Sequence, residues 1–156
     1  HLLVDENGTG KKEAEFYQSQ WKDKLGIDVE VEVLTTKERI ARAKAGDFEI
    51  VRYAWGPDYA DPMTYLEIFH SKAKDINFAK YSNPEYDELI DLAKVNQDNK
   101  TRMDAMKKAE KLLADNFTYS TLYYEVGVYL INPKLKGVVI RSVGDSIDFY
   151  NASITK

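Results

Sequence analysis

The clearest signal along the chain is a period of two. Ile27, Val29, Val31 and Val33 alternate with Asp28, Glu30 and Glu32. That is the pattern of a strand with one face on a core and one in water, and it predicts a strand over 27–34. On both sides the period becomes helical. Upstream, Ala14, Tyr17, Trp21 and Leu25 recur every three or four residues, which predicts a helix over 11–25 stopped by Gly26. Downstream, Thr35 and Glu38 have capping-box spacing, so a helix is expected over 37–45, stopped by Gly46. Leu2-Leu3-Val4 reads as a short buried strand before the turn cluster Asn7-Gly8-Thr9-Gly10, and residues 48–55 read as the next strand. This β-α-β-α-β order with short connections predicts an α/β layer of parallel strands. A helix of about ten residues joins the strands at 27–34 and 48–55, so those two are expected to be neighbours.

The middle of the chain changes character. Gly56-Pro57-Asp58-Tyr59-Ala60-Asp61-Pro62 holds two prolines and a glycine in seven residues and reads as a loop. Pro62 suits the start of a short helix over 63–69. Residues 71–81 show no period and are expected to be irregular. Asn83-Pro84 is a cap followed by an N-terminal proline, with Glu85, Asp87 and Glu88 at the helix's positive end. Leu89, Leu92, Ala93 and Asn96 are the expected face of that helix. A second helix over 100–114 carries the stripe Met103, Met106, Ala109 and Leu113. Residues 119–130 are dense in Tyr, Val and Leu and read as β structure. Asn132-Pro133-Lys134 breaks that run, and shorter elements follow at 135–140 and 146–154. The opening His1-Leu2-Leu3-Val4-Asp5 reads as a strand entered midway, so the chain is expected to be a piece of a longer protein.

Composition narrows the chemistry. The 156 residues are 44% hydrophobic and 31% charged, with 22 Lys and Arg against 26 Asp and Glu, a net charge of −4. Without a basic excess, nucleic-acid binding by charge is disfavoured. No apolar run approaches the ~18 residues that span a membrane. With no cysteine, disulfide scaffolds, Cys-bearing zinc sites and thiol nucleophiles are excluded. His1 and His70 are far apart and form no metal-binding spacing. No phosphate loop, dinucleotide fingerprint or nucleophile elbow is present.

One cluster stands out. Trp55 ends the strand at 48–55 and is either a core residue or the wall of a pocket. Ala54 and Gly56 are small enough for a ligand backbone to come close. Asp58 follows at the carboxyl end of the strand, the side on which open α/β sheets bind ligands. It is either a capping residue or a carboxylate placed to grip an amine. Asp61, before Pro62, reads as a cap or turn residue, although Asp58 and Asp61 together could also serve as an acid–base pair. Small residues, a tryptophan and a carboxylate at a strand end suit the addition of an extended peptide to the sheet, with the acid capturing its N-terminus.

The stretch from Gly46 through Arg52-Tyr53-Ala54-Trp55-Gly56-Pro57-Asp58-Tyr59-Ala60-Asp61-Pro62 closely resembles the oligopeptide-binding proteins. These belong to solute-binding protein family 5 and are the extracytoplasmic receptors of peptide-importing ABC transporters. Trp21-Lys22, Leu25-Gly26-Ile27, Tyr81-Ser82-Asn83-Pro84-Glu85-Tyr86-Asp87 and Leu135-Lys136-Gly137-Val138 resemble the same family in order. The resemblance implies the C-terminal lobe, incomplete, of a periplasmic-binding-protein-like (type II) α/β fold. Residues 1–126 would form part of the second large lobe, and residues 127–156 would cross a hinge back to the first. It further implies a receptor that closes on an extended oligopeptide, is not an enzyme, needs no cofactor or metal, and works with permease subunits. The receptor would sit outside the cytoplasmic membrane, held by a lipid anchor on a preceding segment.

Position by position, Asp58 matches the acid that pairs with the peptide α-amino group. Ala54 and Gly56 match positions whose backbone pairs with peptide, Trp55 matches a pocket aromatic, and Arg52 begins the motif. Three positions depart from the family pattern. Thr36 stands at a pocket aromatic, Gly10 (with Lys11 adjacent) at a basic residue used for peptide C-termini, and Glu125 (with Tyr124 adjacent) at a hinge tyrosine. Relatives for signalling peptides, dipeptides or non-peptide solutes therefore stay open. From other classes, so do a small hydrolase using Asp58 and Asp61, and an interaction domain with an exposed apolar patch.

Overall fold

The computed structural model describes residues 1–144 and 147–155. The chain divides into two compact units: His1–Trp55 with Ile68–Asp87, and Gly56–Glu67 with Glu88–Lys156.

The first unit is built on a three-stranded parallel sheet. Strands β1 (Leu2–Asp5), β2 (Val31–Leu34) and β3 (Ile50–Val51) lie in the order β2-β1-β3, and the connecting helices are α1 (Gly10–Leu25) and α2 (Thr36–Ala45). Leu2 pairs with Val31 on one edge of β1 and with Ile50 on the other. The strands at 27–34 and 48–55 are therefore not neighbours as expected, because β1 lies between them. The continuous apolar run of β1 explains its place. Leu2, Leu3 and Val4 are at most 3% exposed, and only a central strand covered on both faces buries successive side chains. Leu2 and Val4 pack with Ala14 of α1, and Trp21, Val29 and Val31 close around them.

Both flanking strands are shorter than their patterns predicted. Residues 27–30 lie outside β2, and Ile27 and Val33 are exposed. Around β3, backbone pairing with β1 runs only from the Ile50 amide (to the His1 carbonyl) to the Arg52 amide (to the Leu3 carbonyl, 2.9 Å). Strand β2 pairs along all four residues of β1, whereas β3 pairs only with Leu2 and Leu3. The helix ends follow the reading closely. Thr35 Oγ1 accepts from the Glu38 amide at 3.2 Å. Gly46 ends α2 at φ 77°, in the left-handed region, and a Cβ there would collide with the end of the Lys80 side chain.

Residues 70–83 hold no helix or strand, as expected. Buried Asn77 organises them, donating to the Tyr81 carbonyl at 2.8 Å and accepting from the Tyr81 amide at 3.0 Å. Asn83 Oδ1 caps α4 (Pro84–Val95) by accepting from the Glu85 amide at 3.0 Å. The buried face of α4 is Tyr86, Ile90 and Ala93; of the expected Leu89, Leu92, Ala93 and Asn96, Ala93 is buried as expected, while Leu92 is exposed.

In the second unit, Pro62 precedes α3 (Met63–Leu66). Helix α5 (Asn99–Asp115) packs against α3. Its stripe is Ala105, Met106, Ala109 and Leu113, all buried, and its N-terminus is capped by Asp98, which accepts from the Thr101 amide at 2.9 Å. The tail holds two-residue antiparallel ladders, β4 (Leu135–Lys136) with β7 (Ser153–Ile154) and β5 (Val139–Ile140) with β6 (Ile147–Asp148). The element expected at 146–154 begins at Ser146, which lies outside the described residues. The expected β structure at 119–130 is absent. Those residues form no helix or strand, and Tyr124 and Leu130 are 91% and 99% exposed. A strand needs a second strand to take its backbone bonds, and none is offered among the described residues. No helix among them is long and apolar enough to cross a membrane.

Candidate functional site

The boundary between the units falls between Trp55 and Gly56. Arg52, Ala54 and Trp55 thus belong to the first unit, and Gly56 and Asp58 to the second.

In the first unit, the chain leaves the carboxyl end of β3 through a set of buried charges. Arg39, on the inward face of α2, is 5% exposed and lies 2.9 Å from the Asp5 carboxylate at the end of β1. Its Nη1 also donates to the Arg52 carbonyl at 3.3 Å, and its guanidinium sits 5.3 Å from the centre of the Tyr53 ring. Arg52 donates through Nε to Glu13 of α1 at 2.9 Å. The backbone of Arg52 is therefore held on both sides, by the Leu3 carbonyl and by Arg39. Tyr53 meets Phe78 edge-on at 4.9 Å, and Trp55 lies beside Tyr53 with ring centres 6.3 Å apart. Trp55 is half-buried rather than a core residue. Ala54 is exposed, and its amide and carbonyl make no bond among the described residues.

In the second unit, open space surrounds Gly56, where a Cβ would meet nothing within 4 Å. Packing within the chain does not require glycine there. The Asp58 amide donates to Oγ1 of buried Thr64 at 3.1 Å. The Asp58 carboxylate is exposed, with no partner among the described residues.

Asp61, three residues on, is engaged through Oδ1. Its Oδ1 accepts from the Met63 amide at 2.9 Å and lies 2.6 Å from Arg102 Nη2. The hydrogen bond from Arg102 holds the Asp61 carboxyl below its usual range. Arg102 also donates to the Ala93 carbonyl at 3.1 Å, joining α4 and α5. Glu67 accepts from the Tyr59 hydroxyl and lies 3.0 Å from the Lys94 ammonium. Burial would raise the Glu67 carboxyl, but those two donors outweigh it and the net shift is downward. Tyr59 is pushed upward by burial and by Glu67. Asp61 is thus a turn residue before α3, one of the two roles its place before Pro62 suggested, and it is held in an ion pair with Arg102.

Several of these residues carry no motif. Arg39 had one available signal, a charge four residues before Ala43 on the inward stripe of a helix, which calls for a buried partner. Glu13, Thr64 and Arg102 had none, because their partners are 39, 6 and 41 residues away.

Comparison with known proteins points one way. Residues 1–77 match the model for bacterial extracellular solute-binding proteins, family 5, middle region. The chain is 30% identical over 141 residues to the oligopeptide-binding protein OppA of Bacillus subtilis, covering 90% of this chain and 26% of that protein. It is 37% identical over 134 residues to the dipeptide-binding protein DppE of the same organism, covering 86% and 24%. Among solved structures, Haemophilus influenzae OppA in complex with RPPGFSPFR superposes with a TM-score of 0.87 at 31% identity, covering 99% of this chain and 30% of that one. The substrate-binding domain of an oligopeptide ABC transporter from Bacillus anthracis gives the same values. The chain therefore spans 26% and 24% of the length of these two curated relatives.

Proposed function

The chain belongs to family 5 of the bacterial extracellular solute-binding proteins, and from that premise we propose that it is part of a receptor for extended oligopeptides. The receptor works outside the cytoplasmic membrane, tethered there by a lipid on a preceding segment, and delivers peptide to the permease of an ABC importer. It binds without turnover and without a cofactor. Residues 1–126 supply part of one lobe, and residues 127–156 return to the other. The exposed apolar run at 119–131 supports that division, since Val126, Val128 and Leu130 are at least 84% exposed and offer apolar surface for another part of the receptor to cover.

Asp58 takes the peptide's α-amino group, the backbone at Ala54 and Gly56 pairs with the peptide, and Trp55 walls a side-chain pocket. Arg52 joins the site where its carbonyl and its ion pair with Glu13 fix the strand end. One observation carries this reading: Asp58 presents a carboxylate that is unengaged among the described residues, while Asp61 beside it is bound to Arg102. An ammonium entering a closed cleft loses water and needs a fixed anion to offset that cost.

The test uses the complete receptor and a mixed pool of short peptides, free or N-acetylated. Asp58→Asn keeps the shape and removes the charge, and the expected affinity loss for free peptides is on the order of 2–5 kcal/mol. Acetylated peptides bind wild type poorly and are nearly indifferent to the substitution. Equal binding of free and acetylated peptides by wild type overturns the assignment.

A further inference from the structure

We infer that Thr64 is a positioning residue for the amine-binding carboxylate: its buried hydroxyl holds the backbone of Asp58 and thereby aims the side chain. This rests on the proposed role of Asp58 and goes beyond it, because Thr64 touches no ligand in that reading.

The loop from Gly56 to Pro62 holds no helix or strand; its Pro57 carbonyl accepts from the Gly144 amide at 3.4 Å, and its far end is tied down as well. There the chain enters α3 through a tight set of bonds. The Met63 amide donates to Asp61 Oδ1 at 2.9 Å, the Thr64 amide to the Asp61 carbonyl at 3.2 Å, and the Tyr65 amide to the Pro62 carbonyl at 3.0 Å. Arg102 braces this turn from α5 at 2.6 Å. Thr64 sits in its first turn and is 1% exposed. From that fixed point Oγ1 accepts the Asp58 amide at 3.1 Å. The bond reaches back across six residues and lands on the residue that carries the exposed carboxylate. With its nitrogen held, Asp58 has fewer backbone conformations open to it, so the carboxylate meets an incoming ammonium in a narrower set of positions. Preorganisation of this kind raises affinity by removing the cost of ordering the loop on binding.

Thr64→Val keeps the shape and the β-branch and removes the acceptor. In the complete receptor, free peptides from the mixed pool should bind roughly three- to tenfold more weakly, the worth of one neutral hydrogen bond. N-acetylated peptides should bind as they do to wild type, which shows that the variant folds and the cleft is intact. Thr64→Ser keeps the hydroxyl and should restore discrimination between free and acetylated peptides, whereas Thr64→Ala should not. If Thr64→Val fails to fold, the Ser and Ala variants carry the comparison. A variant without the hydroxyl that discriminates as wild type does, or loses both peptide classes equally, overturns the inference and leaves the Asp58 assignment standing. A wild type that does not discriminate overturns the Asp58 assignment, and the inference with it.

Discussion

Residues 2–55 and residues 117–155 are both rich in branched and aromatic side chains, yet they end in opposite states. In the first stretch Leu3 is fully buried, and β1 has a strand on each edge. In the second, Phe117, Tyr124 and Leu130 are at least 91% exposed, and the strands present are only two residues long. Apolar content is not the difference. The first stretch carries its partners within a β-α-β-α-β unit, whose helices return each strand beside an earlier one. The second has β-type composition without any such device, and its described strands form only two-residue antiparallel ladders. Hydrophobic residues mark what needs burying, while connectivity decides whether a given piece of chain can bury it.

Hydrogen exchange on the 156-residue chain gives the widest separation between the two regions. Amides of β1 should exchange roughly three to six orders of magnitude slower than unstructured ones, close to the global unfolding limit, whereas those of 119–131 should exchange almost freely. Slow exchange at 119–131 would break the contrast.

Truncating the two regions should also separate them. Leu3→Ala removes a fully buried side chain from the central strand and should cost about 3–4 kcal/mol in urea unfolding. Leu130→Ala should stay within about 0.5 kcal/mol.

Charge sharpens the comparison within the first unit. Asp5→Ala leaves Arg39 buried without its carboxylate and should cost about 3 kcal/mol. Adding Arg39→Met should recover a large part of that loss, because the stranded charge is then gone.

The smallest effect separates Asp61 from Asp58. Arg102 holds the carboxyl of Asp61 in the folded chain below its ordinary range. A folded pKa below the unfolded one contributes stability that is present above the unfolded value and lost as pH falls through the folded one. Asp61→Asn should therefore cost about 1 kcal/mol near neutral pH, the scale of a partly exposed pair, and the cost should vanish in strong acid. Asp58→Asn should leave stability within about 0.5 kcal/mol at either pH.

Much of the layer was legible because its signals are local. The Thr35 cap, the left-handed stops at Gly26 and Gly46, the Asn83 cap and the stripe on α5 each depend on residues a few positions apart. These fix where helices begin and end, and which of their faces is apolar. The loop bearing Asp58 was legible for the same reason, since proline and glycine set its limits.

The remaining features rest on distant contacts. Sequence spacing made the strands at 27–34 and 48–55 look adjacent; only the folded sheet showed β1 between them, because strand order depends on which edge each crossover reaches. The inward face of α4 turned by one position, since what a helix packs against settles that choice. The run at 119–130 carried every local mark of a strand and formed none, because a strand exists only with a partner. The same holds at the site. The sequence placed two carboxylates three residues apart and read Asp61 as a cap or turn residue, but it did not show what engages it. Arg102, 41 residues beyond Asp61, does so, and no local pattern encodes a pairing across that distance.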